Sequence, residues 1–412
     1  MNILMLTSEF SPANGGIGTY AREIAVAVTQ LGAGVTMIAP DYGKDNTAED
    51  RNLPFEVRRY QGGLHSMRDL PAKIRLARRH IASASFDAVH AADWPFFIPL
   101  ALSRDLTEAR LMMTVHGTEI NESQTPLKRL AVRCAGVFGP RTVIAANSRF
   151  TRELFLKRFS IDTERVHAIS LGVSDFWFGE RQTRCATRAA YAIAADRIVM
   201  VTVARLTRRK GHLLTLSALR SLQPELRRKI TWLVIGPDGE ADYVKQLREL
   251  AATADCDIRF LGALSNEQIR DIYGAADFFC LNGLPESSGR VEGFGLVYLE
   301  AGAAGLPSAA TDIGGVSDAV IAGASGLLVA PSTEEVACAI ATLASDSATR
   351  SALAIGATTH AGRSSWKRCA AETYGFEPPL ADNIDSIRLP LEEIRPFQAG
   401  SIQPAYSDWS NG

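Results

Sequence analysis

Ala276-Asp277-Phe278-Phe279-Cys280-Leu281 leads through a polar loop opening at Asn282 into Val291-Glu292-Gly293-Phe294-Gly295-Leu296-Val297-Tyr298-Leu299-Glu300. The first six residues form a short apolar run bounded by turn residues, which is the mark of a buried strand. The glycines close the loop, and the residues after them have helical spacing. A strand-loop-helix unit leaves its loop at the strand's carboxyl end, where open α/β sheets hold ligands. Glu292 and Glu300 flank the turn. One carboxylate before a Gly-rich turn and another more than a turn into the helix can hold two hydroxyl-bearing halves of one ligand. The free N–H groups of the helix start then face its phosphates. The pattern suits a nucleotide sugar, although the same spacing also occurs on solvated helix faces.

Similar units recur on both sides. Apolar segments near 3–7, 35–39, 87–90, 111–115, 142–146 and 165–169 alternate with helix-period segments. After Gly172 the alternation starts again, with 198–203, 231–235, 258–261, 278–281, 307–310 and 327–329. This alternation predicts parallel sheets covered by helices on both faces. The expected fold is α/β, with two doubly wound domains meeting near 171–178 and a ligand cleft between them.

Composition fits that size and class. A chain of 412 residues exceeds the usual single core. With 46% hydrophobic residues, 22% charged residues and a net charge of -1, nothing points to bulk nucleic-acid binding. The six cysteines, at 134, 185, 256, 280, 338 and 369, are scattered and suit a reducing, cytoplasmic setting. Met1 to Phe10 reads as a first strand and not as a targeting peptide. No apolar run is long enough to span a membrane.

Charge is uneven along the chain. Between Arg58 and Arg79 stand Arg58, Arg59, Arg68, Lys73, Arg75, Arg78 and Arg79 against Asp69 alone. Leu70, Ile74, Ala77 and Ile81 fall at helical spacing among them. Such a helix either docks on anionic lipid or covers a core with a solvated face. Beyond Gly375 the chain turns Pro-rich and loses periodicity, so a loosely packed tail is expected there.

Candidate site residues sit at strand ends. Gly15-Gly16-Ile17-Gly18 follows the first strand and opens a helix whose amides suit an anion, though it is not the dinucleotide fingerprint. Arg205 ends the first strand of the second half, and Lys210 follows beside Gly211, so both can reach one diphosphate. Arg208 and Arg209 are expected to face solvent. His116 ends a strand of the first half beside Gly117, either as a packing residue or in a functional role. Asp255-Cys256-Asp257 resembles a metal-binding Asp-x-Asp but has no third ligand nearby, so no metal site is expected.

Together these motifs resemble the retaining glycosyltransferases of the two-Rossmann GT-B type, family 4, which include bacterial phosphatidylinositol mannosyltransferases. The resemblance covers about residues 1–375. It rests on Gly15 to Tyr20, His116-Gly117, Asn147 to Thr151, Gly172-Val173, Arg205 with Lys210-Gly211, Glu292 to Glu300, and Gly314-Gly315, in the family's order. It implies a Rossmann-like acceptor-side domain at 1–172 and a nucleotide-sugar domain at 173–363. A closing helix at 364–375 returns to the first domain, and 376–412 forms the tail.

By that resemblance Arg205, Lys210 and Gly16 contact the donor diphosphate, and amides at Gly295, Leu296 and Val297 complete its cradle. Glu300 holds the ribose, Glu292 the transferred sugar, and His116 lies near the anomeric centre. Backbone near Gly262 and side chains near Leu281 flank the base. The family needs no obligatory metal, so the cations stabilise the leaving group. The implied reaction moves a hexose, mannose from GDP-mannose first and a UDP-hexose second, to a lipid-linked or saccharide acceptor with retention. Peripheral contact with the inner face of an anionic membrane is the companion expectation. A nucleotide-sugar epimerase and a non-catalytic sensor are the rival readings.

Overall fold

The computed structural model describes residues 1–13, 15–62, 69–117, 120 and 125–377. Arg68, Thr118, Glu119 and the tail beyond Glu377 lie outside the described residues. Two parallel sheets organise the rest. The first contains β1 (Asn2–Leu6), β2 (Gly34–Pro40), β3 (Glu56–Tyr60), β4 (Ala88–Ala91), β5 (Arg110–Val115), β6 (Thr142–Ala146) and β7 (Val166–Ala168), in the order β3-β2-β1-β4-β5-β6-β7. The second contains β8 (Ile198–Val203), β9 (Ile230–Ile235), β10 (Asp257–Gly262), β11 (Phe278–Leu281), β12 (Ser308–Thr311) and β13 (Gly326–Val329), in the order β10-β9-β8-β11-β12-β13.

Every described strand pairing is parallel. Helices therefore cover both faces, and strands such as β9 and β11 are buried along their whole length. In both sheets the strand order reverses beside the first strand, between β1 and β4 and between β8 and β11. This is the doubly wound Rossmann order, and it opens a crevice at the carboxyl ends of those strands.

One strand departs from expectation. Glu56-Val57-Arg58-Arg59-Tyr60 forms β3 at the sheet's edge, where charged side chains discourage further pairing. Two members of the basic cluster are thereby placed and paired: Arg58 with Glu56 at 2.8 Å, and Arg59 with Asp50 at 2.6 Å. The helix Leu70–Ile81 forms as the spacing predicts. Its Ala77 and Ile81 lie in the core beneath it, and Lys73 is buried with its ammonium 5.9 Å from the centre of the Phe96 ring. Burial lowers the Lys73 pKa. This helix spends its apolar face on the protein's own core.

The chain passes between the sheets through residues 169–197 and returns near 365. Val173 bridges Ser365, and its N–H donates to the Ser364 carbonyl at 2.7 Å. A Cβ on Gly172 would lie 2.4 Å from the Trp366 nitrogen, so glycine is what lets the two segments cross. Helix Trp366–Tyr374 then packs on helix Gly16–Gln30 of the first sheet. Its end is fixed by Tyr374 Oη at 2.6 Å from His90 Nδ1 and by Arg110, which donates to the Tyr374 carbonyl at 2.6 Å.

The carboxyl ends of the two sheets touch directly. A Cβ on Gly293 would meet the His116 carbonyl oxygen at 2.1 Å, and one on Gly315 would meet Ser148 Oγ at 2.6 Å. Beside them the buried Asp318 carboxylate accepts from the Arg149 backbone N–H at 2.6 Å and from Arg149 Nε at 2.5 Å. It thus supplies a charge-assisted bond at the start of helix Arg149–Arg158. Gly293→Ala is expected to hold the halves apart while leaving each core intact. Small-angle scattering should show a larger radius of gyration with an undiminished helical signal, and an unchanged radius would mean that the contact yields.

Candidate functional site

A cavity of about 870 Å³ lies between the two sheets. Thr19, Arg22 and Glu23 of helix Gly16–Gln30 form one wall, and Arg205, Leu296, Val297 and Glu300 form the other. Arg205 follows β8 at the point where the strand order reverses, and its side chain is exposed. Leu296 to Ala303 is a helix that starts after Gly295, whose φ of +92° is one that only glycine adopts freely. The helix's first amides thus point toward the cavity, with no side chain capping them.

Lys210 and Glu292 stand together beside this cavity. Lys210 Nζ lies 2.6 Å from Glu292 Oε2, and Arg209 Nη1 donates to the same oxygen at 3.2 Å. Gly211 makes this possible. Its φ is +67°, and a Cβ there would fall 1.6 Å from the Asn282 carbonyl oxygen, so the backbone after Lys210 lies directly against the end of β11.

His116 directly follows β5 and packs edge-on against Tyr20, with ring centres 4.9 Å apart. Its Nε2 lies 2.8 Å from the Ala92 carbonyl oxygen; because a carbonyl only accepts, Nε2 carries the proton. Behind it runs a buried chain of bonds, from Tyr20 Oη to Thr114 Oγ1 at 2.7 Å, on to His90 Nε2 at 2.8 Å, and from His90 Nδ1 to Tyr374 Oη. Burial first, and the neighbouring His116 second, push the His90 pKa down to about 3, so it is a neutral link.

Two family models match this chain: "Glycosyltransferase Family 4" over residues 14–175 and "Glycosyl transferases group 1" over residues 184–360. The chain is a family 4 glycosyltransferase of GT-B fold. It is 27% identical over 331 residues to a GDP-mannose-dependent alpha-(1-6)-phosphatidylinositol monomannoside mannosyltransferase of Mycolicibacterium smegmatis, covering 79% of this chain and 85% of that one. A D-inositol 3-phosphate glycosyltransferase of Kribbella flavida is 28% identical over 385 residues, covering 87% and 89%. Among solved structures, Anabaena HepE in complex with UDP and glucose superposes with a TM-score of 0.72 at 23% identity, covering 91% of this chain and 98% of that one.

In this glycosyltransferase the expected site residues do not all line the cavity. Arg205, Leu296, Val297 and Glu300 line the cavity, while Lys210 and Glu292 are joined to each other beside it. Gly16 is exposed at the start of its helix, where a Cβ would meet nothing, and Gly262 ends β10 next to the cavity-lining Ala263. Leu281 does not reach the cavity: it is 1% exposed in β11, and its carbonyl accepts from Tyr298 Oη at 2.8 Å. Ala263 to Glu267, directly after Gly262, line the cavity instead. Asp255 and Asp257 are each engaged by arginines, Asp255 by Arg227 and Arg228, Asp257 by Arg259 and Arg197.

Three participants escaped the sequence reading. Arg209 was expected in solvent and instead shares Glu292 with Lys210, because the tight turn Arg208–Lys210 swings consecutive side chains apart. Arg208 alone faces outward, near Glu240 and over the Tyr243 ring. Glu23 lies across the cavity from Glu300, and Tyr20 braces His116; both belong to a segment read as a helix and a motif with no role given to either side chain.

The two glutamates sit in opposite fields. Burial alone would raise the Glu292 carboxyl, but Lys210 and Arg209 overcome it and hold the pKa at about 2. Among the described residues no such cation shifts Glu300. Burial and then the facing Glu23 push it up to about 8. The folded chain therefore keeps a proton that the unfolded chain releases near pH 4.3. Between those pH values the folded state binds more protons, so stability falls as pH rises. Glu300→Gln should flatten the dependence of the urea midpoint on pH between about 5 and 8. Parallel curves for variant and parent would refute the raised Glu300 pKa.

Proposed function

We propose that this glycosyltransferase moves a hexose, mannose from GDP-mannose in the first instance, to a lipid-linked or saccharide acceptor with retention of configuration. The observation that carries the reading is the paired arrangement at the cleft. Arg205 lines the cleft beside a helix start whose amides are uncapped, Lys210 and Arg209 hold Glu292 just before that helix, and Glu300 follows one turn into it. The choice of mannose and of a lipid acceptor draws on the names of the mannosyltransferase relatives. A UDP-hexose is the second donor, in view of the UDP held by Anabaena HepE. The reported relatives are all transferases, which favours transfer over the epimerase alternative.

In this reading residues 1–172 carry the acceptor and 173–363 the donor. Residues 364–375 close the structure against the first half. Arg205 and Lys210 take up the charge that develops on the leaving diphosphate, and the amides of Gly295, Leu296 and Val297 share it. Glu300 accepts from the ribose hydroxyls. Glu292, already ionised and fixed through Oε2, accepts from a hydroxyl of the sugar. The anomeric C–O bond to the diphosphate breaks as the acceptor oxygen bonds to the same carbon. The acceptor's proton passes to a phosphate oxygen of the departing group on the same face. Double displacement needs a free carboxylate nucleophile, and Glu292 is a poor one with two cations on one oxygen.

The six free cysteines suit the cytoplasmic side of a membrane, and the acceptor would bring the enzyme to its surface. Among the described residues no helix is long and apolar enough to cross a membrane, so contact would be peripheral.

Lys210→Ala is expected to lower turnover at least about tenfold, since a charge-assisted contact is worth roughly 1.5–3 kcal/mol, and Glu300→Ala likewise, because it leaves the ribose hydroxyls without their buried partner. Near-parental transfer by both variants would sink the assignment. A thermal-shift screen across GDP- and UDP-sugars identifies the donor, because a ligand that binds only the folded state raises the midpoint with occupancy. GDP-mannose is expected to give the largest shift, and a larger shift with a UDP-hexose would move the donor to the second choice.

A further inference from the structure

Helix Pro126–Ala135, Pro-Leu-Lys-Arg-Leu-Ala-Val-Arg-Cys-Ala, carries apolar residues on two faces. Val132 and Ala135 enter the core of the first half. Leu127 and Leu130 point the other way, 76% and 56% exposed, the two most exposed large apolar side chains among the described residues. Cys134, one turn beyond Leu130, is exposed on the same side. The helix is well formed, with Thr125 accepting from the Lys128 N–H and Gly136 ending it in the left-handed conformation, so the exposure of its leucines is a property of a fixed surface.

Charge says what covers it. The helix has three basic residues and no acidic one. Arg129 and Arg133 are exposed beside the leucines, and among the described residues neither is in an ion pair. Helix Phe97–Ala101 packs against both this helix and Leu70–Ile81, whose Arg75 and Arg79 are also exposed. Leu102, 39% exposed, ends it. Leucines ringed by arginines match the boundary of an anionic bilayer, where the apolar side chains enter the acyl layer and the guanidinium groups stay with the headgroups. A protein partner with an apolar patch would leave those cations unmatched.

We infer that the Pro126–Ala135 helix is the membrane-docking face of this enzyme, inserting Leu127 and Leu130 among anionic lipids. The basic helix Leu70–Ile81 contributes charge alone, because its apolar face is already buried. Position gives the contact a purpose, and here the inference rests on the proposed lipid acceptor. The helix follows β5, whose carboxyl end carries His116, and Lys128 lies 5.1 Å over the ring of Trp94, two residues from the Ala92 carbonyl that holds His116. A bilayer seated there presents its headgroups beside the acceptor side of the cleft.

The test is sedimentation of the full chain with vesicles of equimolar phosphatidylglycerol and phosphatidylcholine, and with pure phosphatidylcholine. The parent should bind the anionic vesicles, and the double variant Leu127→Gln, Leu130→Gln should bind them at least about tenfold more weakly. Arg75→Ser with Arg79→Ser should weaken binding less and in a salt-dependent way. The same samples are assayed for unfolding midpoint and for the shift caused by GDP-mannose, both expected unchanged in the leucine variant. Three results would each overturn the inference: a parent that ignores anionic vesicles, a leucine variant that still binds them, or a parent dimer in ultracentrifugation that the leucine change dissolves. A donor shift that is absent while vesicle binding persists would instead count against the donor assignment alone.

Discussion

The close approach of segments from the two halves, with glycine on one side of each contact, is the constraint on which this molecule depends. Gly293 meets the His116 carbonyl, Gly315 meets Ser148, and Gly172 meets Trp366, each at a distance a Cβ would forbid. Parallel sheets alone would leave their carboxyl ends as two separate crevices. Glycine at these positions lets one loop of each sheet lie on the other, which turns two half-sites into a single cavity with walls from both. The Asp318 carboxylate bonded to Arg149 then makes the contact polar and directional. Apolar contact at the same place would not fix the relative rotation of the halves.

Within that frame the electrostatics of the second half are set by which glutamate meets which residue. Glu292 lies one residue before Gly293 and so opposite the turn that carries Arg209 and Lys210. Glu300, one turn into the helix that starts at Leu296, is carried to the cavity wall that faces Glu23. One carboxyl is held ionised far below the usual range, and the other keeps its proton to about pH 8 in the empty cleft. Neighbouring acids pushed apart in this way take different roles. A bound donor would bring hydroxyls toward Glu300 and a dianionic diphosphate toward Lys210. Lys210 would then be shared between phosphate and Glu292, and Arg209 is what keeps Glu292 from being left alone.

Much of this was legible in the sequence because parallel sheets write themselves as short apolar runs. Segments such as Phe278–Leu281 are buried on both faces and have no strongly polar member to confuse the period. Edge strand β3 was missed for the opposite reason. Glu56, Arg58 and Arg59 serve solvent and the partner Asp50, so the strand looks like part of a basic helix. Leu281 fails through the same uniformity that made its strand visible: a strand covered on both sides has no alternation to tell which residues approach a cleft. Glu23 and Arg209 act through partners far along the chain, and local spacing carries no trace of such pairings.

The closing helix ties the remaining piece to the rest. Trp366 lines the cavity and stands 6.0 Å from Tyr20, while Tyr374, two turns on, bonds to His90. Tyr20 and His90 meet at Thr114, and Tyr20 braces the His116 ring. A segment that belongs by sequence to the end of the second half therefore supports the histidine at the end of β5 in the first. His90 is suited to that post because it is neutral: an imidazolium buried among Tyr20, Thr114 and Tyr374 would need a counter-charge, and its low pKa removes the need. The support of His116 is thus buried and uncharged, and the charge in the cleft comes from Arg22 and Glu23 on one wall and from the residues of the second half on the other.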